Sequence, residues 1–171
     1  MSPRREAELR RLLVAAYPQH ADLFSGASYW GSRPEQRLWL ADGAGQIVAQ
    51  LGFGRRHVRV GGHDVLIAGI GAVAVHPDGQ GRGLGRQLLA ELQGVLRVQV
   101  PVDFGFLQCR EAVAGFCERA GLVRVPQAAR CFDPDQRAWI TNPGPAMVLP
   151  ALKTVADWPA GGDIDLRGLP W

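Results

Sequence analysis

Val73-Ala74-Val75-His76-Pro77-Asp78-Gly79-Gln80-Gly81-Arg82-Gly83-Leu84-Gly85-Arg86 reads as the end of a buried strand, a glycine-rich loop and the start of a helix. Leu84, Leu88, Leu89, Leu92 and Leu96 then recur at helical spacing. Four glycines alternate from Gly79 to Gly85, more than a turn that merely caps a helix requires. Glycine lets backbone N–H groups come close to a ligand, and the positive end of the helix reinforces them, so the segment suits an anion. Arg82 and Arg86 offer charge-assisted donors to phosphate oxygens. Two other phosphate loops are excluded. The pattern GxxxxGK[ST] needs a lysine, and the chain's single lysine is Lys153; GxGxxG fails from both Gly79 and Gly81.

Upstream of the loop, Val65–Val75 reads as a long apolar strand, and Arg37–Ala41 and Gln46–Phe53 as strands joined by the Asp42–Gly45 turn. His57–Val60 leads to Gly61 and Gly62. Leu9, Leu12, Leu13 and Ala16 form one face of a first helix that Pro18 ends. Residues 20–36 read as a loop or broken helix carrying Phe24, Tyr29 and Trp30. Downstream come a strand over Val102–Gln108, a helix over Glu111–Ala120 closed by Gly121, and short strands at Val123–Val125, Ala129–Phe132 and Ala146–Leu149. This order predicts an α+β fold, a predominantly antiparallel mixed central sheet flanked by helices, in a single domain over residues 1–171.

With 47% hydrophobic and 20% charged residues, the chain is too apolar to be disordered. No apolar stretch reaches the roughly 18 residues of a membrane span, and the charged start lacks the apolar run of a signal peptide. A soluble, cytoplasmic protein is expected, with no membrane partner. The net charge of +3 comes from basic residues scattered along the chain, without the stripe of a nucleic-acid binder. Cys109, Cys117 and Cys131 show no CxxC spacing, and His20, His57 and His63 no ligand spacing, so no metal is expected. A serine nucleophile in GxSxG is absent from the sequence.

Gln80-x-x-Gly83-x-Gly85 after Val-x-Val-His-Pro resembles the Q/R-x-x-G-x-G/A motif of the GCN5-related N-acetyltransferases (GNAT). Ala114-x-Phe116-Cys117-x-x-x-Gly121-Leu122 resembles that family's later helix, and the likeness spans residues 35–125. It implies the GNAT fold, in which the loop cradles the pyrophosphate of acetyl-CoA and a splayed strand pair holds the pantetheine arm of the coenzyme A. Val73, Ala74 and Val75 would then offer backbone groups to this cofactor, and Gln80, Gly81, Arg82, Gly83, Leu84, Gly85 and Arg86 would bind its phosphates. Cys117 stands where the family often has a tyrosine that protonates the departing thiolate; a thiol can do this, or simply pack beside Phe116. The fold also commonly forms a homodimer.

Tyr29-Trp30-Gly31-Ser32-Arg33-Pro34-Glu35 and the segment Asp157–Asp165 resemble the rhizobial nodulation N-acyltransferases, which place a fatty acyl group on the free amine of a chitin-like oligosaccharide. The ending Asp165-x-Arg167-x-x-x-Trp171 resembles the aminoglycoside 2′-N-acetyltransferases. Both acylate an amine on a sugar. The loop has the ordinary coenzyme A form, so the leading expectation is acetyl transfer to an aminoglycoside (kasugamycin-like compounds included) or a related amino sugar, giving antibiotic resistance. The alternatives are a nodulation-type transferase placing a longer acyl chain on a glucosamine oligosaccharide, and a non-catalytic coenzyme A-binding domain. Both sugar-acylating families carry a glutamate where this chain has Gly69 and Gly71, so their general base does not carry over.

Asp157, Asp163, Asp165 and the carboxylate on Trp171 face a single cation, Arg167, in the last fifteen residues. Such a cluster attracts a cationic amino sugar, and Trp158 and Trp171 can stack on sugar faces or close a pocket. With Tyr29, Trp30 and Glu35 they are the expected acceptor-binding residues. Glu35, Asp165 and the Trp171 carboxylate are the candidate proton acceptors, unranked, and a backbone N–H of Val75 or its neighbour is the candidate for polarising the thioester carbonyl. His76 reads as a residue that caps the loop or lies beside the cofactor.

Overall fold

A computed structural model describes residues 2–171. The first helix, α1 (Pro3–Ala16), starts where the Ser2 hydroxyl accepts the Arg5 N–H at 3.4 Å and buries Leu9, Leu12 and Leu13. Pro18 ends it, and a short helix α2 (Ala21–Gly26) follows with Phe24 buried. The predicted hairpin is β1 (Gln36–Ala41) with β2 (Ile47–Val60), its turn held by the Asp42 carboxylate accepting the Ala44 and Gln46 N–H groups at 2.9 Å each. The sequence reading ended the second strand at Phe53, but β2 runs on unbroken to Val60. It pairs there with β3 (His63–Val75) across the tight Gly61-Gly62 turn.

After the loop, α3 (Leu84–Val98) buries Leu88, Leu89, Leu92 and Leu96 against the sheet. Next come β4 (Phe104–Gln108), α4 (Glu111–Arg119) and β5 (Val123–Val125), with Gly121 at φ +94° between the last two. The chain finishes with β6 (Ala129–Asp133), β7 (Ala138–Asn142), β8 (Ala146–Pro150) and the two-residue β9 (Ile164–Asp165). Strands β7 and β9 were not foreseen. Among the described residues the strands form one nine-stranded sheet in the order β5-β8-β4-β3-β2-β9-β6-β7, with β1 on the first half of β2. Only the β3–β4 and β6–β9 pairs are parallel, so the sheet is mixed and mainly antiparallel, as expected.

Two irregularities in β3 shape everything that follows. Its pairing with β4 stops at Gly69 and Phe106, so the remainder of β3 and the end of β4 diverge. Against β2, the register slips between Gly71 and Ala74, leaving a bulge at Ala72 (φ +50°) and Val73. The extra residue exchanges the faces of the strand: Ala68 and Ile70 lie on the α3 side, whereas beyond the bulge Val73 and Val75 do. Ala72 and Ala74 turn instead to the cluster formed by α1 and α2. A third cluster, from Val58 and Ile67 to Val125, Cys131 and Ile164, is enclosed as the sheet curls and brings strands from its two ends together. No helix among the described residues is long and apolar enough to cross a membrane.

Candidate active site

The loop after β3 begins with a 3-10 turn over Pro77–Gly79, where the His76 ring accepts the Asp78 N–H at 3.3 Å. His76 thus caps the turn, one of the two roles read for it. Gly81 and Gly83 take left-handed conformations (φ +75° and +79°) with open space beside them, which leaves the backbone accessible. The first helical bond of α3 is Gln87 N–H to Gly83 at 3.0 Å, so the N–H groups of Leu84, Gly85 and Arg86 have no helical acceptor. Gln80, Gly81, Arg82, Gly83 and Arg86 are exposed around them. Gly85 also serves packing: a Cβ there would lie 2.9 Å from the Phe116 ring of α4.

Where β3 and β4 part, a cavity of about 680 Å3 opens between the helices. Ile70, Gly71, Ala72 and Val73 form one lip and Phe106, Leu107, Gln108 and Cys109 the other. Leu89, Val113, Phe116 and Cys117 wall it on the α3–α4 side. Tyr17, Leu23, Phe24 and Trp30 wall it on the α1–α2 side. Most of this lining is aliphatic or aromatic. The Tyr17 hydroxyl donates to the Val73 carbonyl, and burial pushes its pKa up. The Gln108 Oε1 is buried without a hydrogen-bond partner among the described residues.

The tail that reads as acidic divides sharply. Trp171 enters the cavity wall and stacks beneath the Arg56 guanidinium, 4.1 Å from its ring centroid. Its indole and its backbone carbonyl carbon lie where side chains at Gly69 and Gly71 would be, so the two glycines that replace the expected glutamate make room for Trp171. Arg56 also donates to the Leu166 and Leu169 carbonyls at 2.9 and 2.7 Å and to the Ser32 hydroxyl at 2.7 Å. Ser32 N–H in turn donates to the Pro170 carbonyl at 2.7 Å. The two segments singled out in the sequence, around Trp30 and at the end of the chain, are therefore fastened together beside the cavity.

Other expected acceptor residues are committed elsewhere. Trp158 is 7% exposed, stands edge-on to Phe104 at 5.1 Å and donates to Gln127 at 3.3 Å, so it is core rather than a sugar platform. Asp157 accepts the Thr154 N–H and hydroxyl at 2.9 and 2.8 Å in a capping box, which lowers its pKa. Asp163 is exposed, with its carbonyl accepting the Gly61 N–H at 3.0 Å. Asp165 accepts the Arg167 N–H at 2.8 Å on β9, and Glu35 accepts the Arg55 N–H and guanidinium at 3.2 Å each. Neither of these carboxylates, nor Tyr29, lines the cavity. Of the three candidate proton acceptors, the group carried by Trp171 is the one on a cavity residue.

Cys117 does line the cavity, but burial pushes its thiol up to about 12, with Cys109 adding to the effect. That makes it a weaker acid than an ordinary thiol. The sequence reading missed Asp135. Its carboxylate accepts the Trp30 indole N–H at 3.3 Å and lies at the cavity. The Asp133-Pro134-Asp135 stretch looks like any turn, and its partner is 105 residues away.

The curled mixed sheet, the parted strands and the glycine loop define the GNAT fold. A GNAT family N-acetyltransferase (YhbS) from Escherichia coli, solved in complex with CoA, superposes with a TM-score of 0.60 at 21% identity over 97% of this chain and 86% of that one. A GCN5-related N-acetyltransferase from Anabaena variabilis gives a TM-score of 0.59 at 16% identity, over 75% of this chain and 32% of that one. Within this fold, residues 1–170 match the family Nodulation protein A (NodA), and the chain belongs to it. Nodulation protein A of Rhizobium tropici is 34% identical over 161 residues, covering 88% of this chain and 81% of that protein. The protein of the same name from Rhizobium sp. (strain N33) is 33% identical over 174 residues, covering 94% and 88%.

Proposed function

We propose that the chain transfers a long acyl group from acyl-CoA to the free amine of a glucosamine-type oligosaccharide. The cavity carries this reading: the space of about 680 Å3 between the parted strands has mostly apolar walls, which suit a pantetheine arm followed by an aliphatic chain. Family membership supports it over aminoglycoside acetylation, since the match is to nodulation proteins along residues 1–170.

The loop fits a coenzyme A. The open backbone at Gly81 and Gly83, the N–H groups at the start of α3 and the exposed Arg82 and Arg86 suit a pyrophosphate. The donor supplies the acyl group as a thioester. The parted strands hold it so that the sugar amine reaches its carbonyl carbon from the Trp30–Asp135–Trp171 side. A C–N bond forms, the C–S bond breaks and the electron pair leaves on sulfur. The Asp135 carboxylate on that side takes the amine proton, and the thiolate takes its proton from solvent rather than from Cys117. The N–H of Val73, in the bulge, replaces that of Val75 as the donor to the thioester carbonyl.

Acyl-CoA affinity as a function of chain length tests this reading. Each buried methylene contributes about 0.8 kcal/mol, roughly a fourfold gain in affinity. Calorimetry with acetyl- to long-chain acyl-CoA will show that rise along the series. Equal affinity for acetyl-CoA and the longer donors would refute it.

A further inference from the structure

The bulge is held from below by a part-buried polar chain that begins on α1. Glu6 accepts the Ser28 hydroxyl proton. The Arg37 guanidinium donates to the Ser28 hydroxyl at 2.6 Å, to the Ser28 carbonyl at 3.0 Å and to the Gln50 Oε1 at 3.0 Å. The Gln50 Nε2 donates to the Ala72 carbonyl. Ser28 and Gln50 are fully buried. Arg37 is itself desolvated, which lowers its pKa, while Glu6 acts the other way.

This chain has a direction. A guanidinium can only donate, so Arg37 must meet the oxygen of Gln50, and the amide is thereby forced to turn its NH2 toward Ala72. The Ala72 carbonyl is thus fixed at a residue whose φ of +50° is unfavourable for a side-chain-bearing residue. In a planar trans peptide the next N–H points away from that carbonyl. The Val73 N–H is therefore aimed away from Gln50, on a residue that lines the cavity.

We infer that Arg37 and Gln50 are positioning residues: through the Ala72–Val73 peptide they aim the Val73 N–H at the carbonyl of the bound thioester. This inference rests on the acyl-CoA reading above. An unheld peptide is free to rotate about its flanking bonds, and the donor then no longer meets the oxygen on which charge develops.

The Gln50→Glu variant tests this with no change in side-chain size. A carboxylate keeps the shape and still accepts from Arg37, but it has no proton for the Ala72 carbonyl. Two non-reacting ligands are compared: a ketone analogue of acyl-CoA in which a methylene replaces the thioester sulfur, and the coenzyme A thioether of the same chain length, which lacks the carbonyl. The parent chain should bind the ketone about tenfold more tightly than the thioether. In Gln50→Glu that preference should fall within about twofold of unity while thioether affinity is kept. A purely structural role would weaken both ligands together. Retention of the ketone preference would overturn the inference. Failure of the parent to bind either ligand would instead overturn the acyl-CoA reading, and the inference with it. If Gln50→Glu does not fold, Arg37→Lys, whose ammonium cannot bridge Gln50 and both Ser28 oxygens in the same way, is read by the same ratio.

Discussion

Trp171 lies against the bare backbone of Gly69, in the space a side chain there would fill. The same indole sits under the Arg56 guanidinium at 4.1 Å and forms part of the cavity wall. A methyl group at Gly69 must therefore displace the indole. The expected cost of Gly69→Ala is about 1–3 kcal/mol, the usual range for overpacking. Urea denaturation checks it, and an unchanged midpoint would show that the indole moves aside freely.

Arg56 joins the tail to the Ser32 loop through two carbonyls, one hydroxyl and the Trp171 ring. An ammonium cannot reproduce that planar fork. Arg56→Lys should loosen residues 166–171, raising their amide hydrogen exchange by about tenfold or more while leaving α3 protected. Equal exchange in both proteins would mean that the tail is held without Arg56.

Where pattern is local, the sequence was readable. The loop from Gly79 to Gly85, the leucine face of α3 and the Gly121 stop after α4 each depend on neighbours within a few residues. The bulge at Ala72 was not readable, because Val65–Val75 is apolar throughout and alternation gives no sign of one extra residue. Strand β9 has two residues and exists because β2 and β6 flank it. The tail showed its charge and its aromatics but not their directions. Trp158 turns into the core and Trp171 into the cavity wall, a difference set by Phe104 and Gly69, far away in the chain. The Arg37–Gln50 chain and the Trp30–Asp135 contact were invisible for the same reason.

Cys117, raised to about 12, should be inert at neutral pH. Against an ordinary thiol near 8.5, its thiolate fraction at pH 8 is lower by about three orders of magnitude, and alkylation by iodoacetamide should slow accordingly. The fold favours the protonated thiol, so its contribution to stability is complete below the unfolded-state pKa and is lost as pH rises toward about 12. Cys117→Ala should soften that alkaline loss and leave turnover within about threefold of the parent. A larger loss of turnover, with donor affinity kept, would restore the thiol as a proton donor.

Val113 stands on the α4 wall of the cavity beside Phe116. Val113→Phe adds bulk to a space assigned to the acyl chain. Affinity for long-chain acyl-CoA should fall by about tenfold while that for acetyl-CoA holds. A uniform loss across chain lengths would place the acyl chain elsewhere.

The most direct test is release of the coenzyme A thiol from acetyl-CoA and from long-chain acyl-CoA. Each donor is offered a glucosamine oligosaccharide with a free amine, an aminoglycoside, or no acceptor. The account predicts release with the long-chain donor and the oligosaccharide together, and a product heavier by the acyl chain. Release confined to acetyl-CoA with the aminoglycoside, or no acceptor-dependent release at all, would contradict it.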